Sequence, residues 1–141
     1  MIGAGVAEAR PAIWLDTNVL LRYMTKDDPD QFARAAALFA RAISGELRIQ
    51  VSPEVIAETI WALGSFYGTP RPIAAGLLRD VLSSEAMAEH DRMIDEAVDA
   101  VARHDVDPVD ALLAARASRR GEQVASFDRD LRKLGVELVK L

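Results

Sequence analysis

A short apolar run, Ile13-Trp14-Leu15, stops abruptly at Asp16-Thr17-Asn18. This junction limits the folds open to the chain more than any other stretch. Three apolar residues suit a buried parallel strand, although so short a run does not by itself exclude a buried helix. As a strand it would carry Asp16 at its carboxyl end. In open α/β sheets, ligands bind beyond the carboxyl ends of the strands, so a carboxylate there is placed to meet a cation. The competing reading is local: Asp16 or Thr17 caps a helix that begins near Asn18.

The rest of the chain alternates. Helices are expected over Asn18 to Met24, from Asp28-Pro29 to Ile43, from Ser52-Pro53 to Tyr67, over Ile73 to Leu82, over Asp91 to Arg103, and from Asp107-Pro108 to Gly121. Three of them start with a polar residue followed by proline, a pairing that combines an N-cap with a pre-set first turn. In the second helix Phe32, Ala35, Ala36, Phe39 and Ile43 form the inward face. Ile94, Val98 and Val101 do the same in the fifth. Strands are expected at Leu47 to Val51, around Met87, at Gln123 to Phe127 and at Val136 to Val139, with a short helical turn over Leu131 to Leu134. Strands alternating with helices indicate an α/β fold with a mostly parallel central sheet. Residues 1–11 read as a flexible N-terminal extension before one domain over 12–141.

Composition narrows the function. The chain has 141 residues, half of them hydrophobic, enough for one sizeable core. A net charge of −5 argues against a nucleic-acid coat held by many phosphate contacts. The absence of cysteine removes disulfides, zinc-thiolate sites and thiol catalysis. Two isolated histidines, His90 and His104, do not make a histidine metal site. No secretory signal and no membrane-spanning run is expected, and the expected location is the cytoplasm.

Four acids stand out. Asp16 and Asp128 each end an apolar run, Asp110 lies in the first turn of a helix, and Glu58 sits among apolar neighbours in Val55-Ile56-Ala57-Glu58-Thr59-Ile60-Trp61. Each also has a structural explanation. Asp107-Pro108-Val109-Asp110 reads as a capped start with Asp110 a first-turn acid. Asp128 can cap the turn after it, and Glu58 can be the exposed residue of a helix buried on its other sides. Were Glu58 buried, it would need a proton, a cation or a metal. Carboxylates gathered on one sheet edge repel, and a divalent cation relieves the repulsion. Oxygen-only ligands favour a hard ion, Mg²⁺ or Mn²⁺, which in catalysis activates water and stabilises a displaced oxygen. Phosphodiester hydrolysis is the chemistry this pattern points to.

Leu15-Asp16-Thr17-Asn18-Val19-Leu20, then Ala57-Glu58, then Asp107-Pro108-Val109-Asp110-Ala111-Leu112, then Ala125-Ser126-Phe127-Asp128-Arg129-Asp130 together resemble the ordered motifs of the PIN domain. Size and architecture are similar to a VapC-type toxin of a toxin–antitoxin pair. The resemblance implies a PIN-like three-layer α/β/α fold and a Mg²⁺-dependent endoribonuclease, cleaving RNA to leave a 3′-hydroxyl and a 5′-phosphate. It further implies a homodimer and inhibition by a small VapB-type antitoxin. On this resemblance Asp16, Glu58, Asp110 and Asp128 are the catalytic and metal-binding acids, with Asp16 the principal ligand. Glu58 either binds a second ion or orients the attacking water. Thr17, Asn18, Ser126 and Asp130 are supporting residues. Arg22, Arg116, Arg119 and Arg120 are either phosphate contacts or a solvated helix face.

Two other functions compete. A HAD-like Mg²⁺-dependent phosphatase also ends its first strand in aspartate, but it needs a second acid two residues later, where this chain has Asn18. A non-catalytic PIN-like RNA-binding module would keep the fold without the cleavage. On the surface, Leu20, Leu21, Tyr23 and Met24 with Ile60, Trp61, Leu63, Phe66 and Tyr67 are either core or an apolar groove for an antitoxin helix.

Overall fold

Local chemistry at the helix starts sets the positions of most elements. The computed structural model describes residues 10–141. Strand β1 (Ala12–Trp14) leads into α1 (Thr17–Thr25), followed by α2 (Pro29–Ile43), β2 (Arg48–Gln50), α3 (Pro53–Tyr67), α4 (Arg71–Leu82), α5 (Arg92–His104) and α6 (Pro108–Arg119). Asp28 caps α2 through the Gln31 N–H at 3.0 Å, and Ser52 caps α3 through the Val55 N–H at 3.3 Å. In both, and again in α6, proline opens the helix, where its missing N–H costs no intrahelical bond. Helix α3 stops at Gly68, whose φ of 65° lies in the left-handed region and lets its N–H reach back to the Gly64 carbonyl.

β1 and β2 pair in parallel, with Ile13 opposite Ile49. A single parallel bridge joins Val124 to Leu138. The result is an α/β fold with a helical majority and a parallel sheet. The main core gathers side chains from α1 to α6. A second, smaller cluster holds Ala114, Ala117, Val124, Leu131 and Val136. Helix α6 lies between the two, giving Ala111, Leu112 and Ala115 to one core and Ala114 and Ala117 to the other. Alanine on both faces lets neighbours approach closely and fixes the helix from two sides.

Several expectations need correction. Met87 is fully buried, but Glu85–Met87 is a 3₁₀ turn, not a strand. One buried apolar residue is compatible with either, and here the Met87 N–H bonds the Ser84 carbonyl within the turn. The expected strands at Gln123 to Phe127 and Val136 to Val139 shrink to the one bridge, and the turn after Asp128 is a 3₁₀ helix over Arg129–Leu134. β1 is half-buried: Ile13 and Leu15 turn to the core while Trp14, on the other side of the pleat, is 63% exposed. Ile43, at the last residue of α2, is exposed. Apart from Arg10 and Pro11, the expected extension lies outside the described residues. Among those residues no helix is long and apolar enough to cross a membrane.

Candidate functional site

Asp16 occupies the N-cap position of α1 in an extended conformation. Its carbonyl accepts from the Val19 and Leu20 N–H groups, but its side chain makes no cap hydrogen bond. The capping explanation therefore does not use this carboxylate, which is exposed at the end of β1. Thr17 beside it is buried. Asn18 turns elsewhere, toward a cavity of about 310 Å³ between α1 and α2 that Arg22, Gln31 and Arg34 also line.

At the start of α6, the cap is Asp107. Its Oδ1 accepts from the Val109 N–H at 2.8 Å and from the Asp110 N–H at 3.3 Å. Asp110 is left as a half-buried first-turn acid without a capping task. Burial, followed by the nearby charges of Asp107 and Asp128, pushes the Asp110 carboxyl above the usual aspartate range, and the Arg71 guanidinium opposes the shift. On the facing loop the capping explanation does apply. Asp128 Oδ1 accepts from the Asp130 N–H at 2.9 Å, while the Asp128 N–H donates to Ser126 Oγ at 3.0 Å. Ser126 thus supports Asp128 through the backbone. Asp110, Asp128 and Asp130 share a cavity of about 270 Å³ with Asp107, Arg71 and Lys133.

Glu58 is exposed, so no burial penalty obliges it to find a metal. It lines a second cavity of about 570 Å³ with Trp61, Gly64 and Val109. The two cavities have Arg71 and Asp107 in common. The structure therefore brings Asp110 and Asp128 together, sets Glu58 in the adjoining hollow, and leaves Asp16 lining neither. The donor set, all carboxylate oxygen and mutually repelling at Asp110, suits a hard ion. Yet among the described residues no three acidic or histidine side chains converge closely enough to hold one.

Of the arginines singled out from the sequence, Arg22 donates to Asp27, Gln31 and Tyr67, Arg119 to Glu96 and Arg120 to Glu122. The cations at the acids are instead Lys133 and Arg71, the latter from a stretch whose Thr69-Pro70-Arg71-Pro72 sequence reads only as a chain break. The chain matches the family described as PIN domain over residues 13–137. None of the curated proteins matches it.

Proposed function

Because this chain belongs to the PIN domain family, whose members are generally metal-dependent nucleases, we propose that it is a Mg²⁺- or Mn²⁺-dependent endoribonuclease and the toxin of a VapBC-like pair. The observation that carries the reading is the grouping of Asp110 with Asp128 around one cavity, where their charges oppose each other. Asp16, Glu58, Asp110 and Asp128 would hold the metal, with Thr17, Asn18, Ser126 and Asp130 in support. The ion would supply charge stabilisation and an activated water at the scissile phosphate. The Asp130 N–H holds the Asp128 carboxylate in orientation, Ser126 Oγ fixes the Asp128 backbone, and the double packing of α6 holds Asp110.

The proposed protein is a cytoplasmic homodimer inhibited by a VapB-type antitoxin. Supporting this, Trp61, Phe66 and Tyr67 of α3 are exposed, while Leu20, Leu21, Ile60 and Leu63 are core. A cavity of about 590 Å³ lined by Tyr23, Met24, Phe32, Leu63 and Tyr67 is the groove proposed for the antitoxin helix.

One observation favours the alternative of a non-catalytic RNA-binding module: the acids do not converge as they stand. The deciding experiment is cleavage of single-stranded RNA by the purified protein with Mn²⁺ and with EDTA, alongside Asp16→Asn and Asp110→Asn. Mn²⁺-dependent cleavage lost in both variants supports the nuclease. RNA binding without cleavage at any Mn²⁺ concentration establishes the module instead.

A further inference from the structure

We propose that Arg71, clamped by Asp105 at the junction of the two cavities, is the contact for a backbone phosphate of the RNA substrate. The inference rests on the nuclease reading above. It starts from a charge problem. The smaller cavity is lined by Asp105, Asp107, Asp110, Asp128 and Asp130, which repel a polyanion. A phosphate entering beside them needs a cation on its other side. Lys133, also in the lining, lies 4.0 Å from Asp130. Arg71 lines both hollows, and it is the cation whose field reaches Asp110.

Its geometry suits the task. The Arg71 Nε–H donates to Asp105 Oδ1 at 3.0 Å, and Nη2 donates to the Asp105 carbonyl at 2.8 Å. Asp105 closes α5 in the left-handed conformation, φ 50°, a backbone state that short polar side chains tolerate best. Two bonds from one residue orient a planar guanidinium, and among the described residues the other N–H donors of the fork have no hydrogen-bond partner. That is the preorganised fork that recognises phosphate, which a lysine point charge does not reproduce. From this junction a strand bound at Arg71 can place one neighbouring nucleotide toward Asp110 and Asp128 and the next toward Glu58 and Trp61.

The test is steady-state cleavage of a fluorogenic single-stranded RNA oligonucleotide, in saturating Mn²⁺ across a range of KCl and, at fixed KCl, across a Mn²⁺ titration. Arg71→Met is expected to lower kcat/KM by about tenfold to a hundredfold, the weight of a hydrogen bond to a charged group. Its slope of log kcat/KM against log salt is expected to be shallower by about 0.7, one phosphate contact on a single strand. Arg71→Lys should recover part of the rate. Asp105→Asn should weaken cleavage in the parent and add nothing in the Arg71→Met background, as expected for two residues acting as one unit. The Mn²⁺ concentration giving half-maximal rate should not rise above the parent value, since removing a cation whose field reaches Asp110 does not weaken metal binding there, and this separates a phosphate contact from a loss of metal. A parental salt slope in Arg71→Met, or a loss of rate that added Mn²⁺ restores, overturns the assignment and leaves the nuclease reading standing. A parent protein that cleaves no RNA in Mn²⁺ overturns both.

Discussion

Removing the cap that orders α6 isolates how the structure holds Asp110. In Asp107→Ala, the Val109 and Asp110 N–H groups lose their common acceptor at 2.8 and 3.3 Å. Losing such a cap costs about 1 kcal/mol, with about 2 kcal/mol at the upper end. Two electrostatic terms accompany it and oppose each other. An anion at a helix N-terminus is worth about 0.3–1 kcal/mol, whereas Asp107 also repels Asp110. Asp107→Asn separates these effects, because its amide oxygen still accepts while the charge is gone. Unfolding entropy of about 2.1 cal/mol/K per residue, over a domain of this size, makes 1 kcal/mol worth about 3 °C in Tm. In EDTA at pH 7, Asp107→Asn should melt within about 1 °C of the parent, the two charge terms nearly cancelling, and Asp107→Ala about 3 °C below it. Circular dichroism melts at equal protein concentration read this directly. If Asn falls as far as Ala, charge and not capping secures the helix start. If Ala melts with the parent, the cap contributes nothing and the reasoning fails.

Asp110→Asn should raise Tm in the metal-free protein at pH 7 while abolishing RNA cleavage. The folded carboxyl is pushed up, so its charged form costs stability above that raised value. The gain from the amide should therefore vanish as pH falls to the ordinary carboxyl value of about 3.9. A melt series from pH 4 to pH 8 checks the sign, and a gain that grows toward acid refutes it. Millimolar Mn²⁺ should raise the parent Tm, by about 2.7 kcal/mol of added stability at a hundredfold excess over Kd. Asp16→Asn should lose that shift, and a parent Tm indifferent to Mn²⁺ would remove the metal proposal. Tyr23→Asp or Met24→Asp should keep cleavage but escape inhibition by the cognate antitoxin in a mixed assay. A folded, active and normally inhibited variant would move the groove elsewhere. Ile94→Ala, at a fully buried core position, should cost about 2–5 kcal/mol by denaturant titration.

How much of this was readable from residue order alone differs between kinds of feature. The start of α3 at Pro53, its end at Gly68 and the capped start of α6 at Asp107 were legible, because capping and proline act within a few residues of themselves. The parallel direction of the sheet, seen where β1 pairs β2, followed from the alternation of strands and helices. The cap at Asp107 and the first-turn place of Asp110 were read correctly. Environment was readable along the amphipathic helices, where Ile94, Val98, Val101, Ala35 and Phe39 are buried as their spacing predicts, but not everywhere. Trp14 and Glu58 are exposed although their sequence surroundings are apolar, Ile43 is exposed although its spacing puts it on the apolar stripe of α2, and Met87 is buried in a 3₁₀ turn. Apolar runs report that something is covered, not which face, and the cover comes from elements distant in the chain. The same limit applies to charge. Arg71 meets Asp105 across a separation of 34 residues, and Asp110 feels Asp128 from a different loop. Residue order supplies these groups, but only the packing of α4 on α5 and of α6 between two cores sets how far apart they stand. At such range, distance and burial decide whether a carboxylate is a cap, a repelled acid or a ligand.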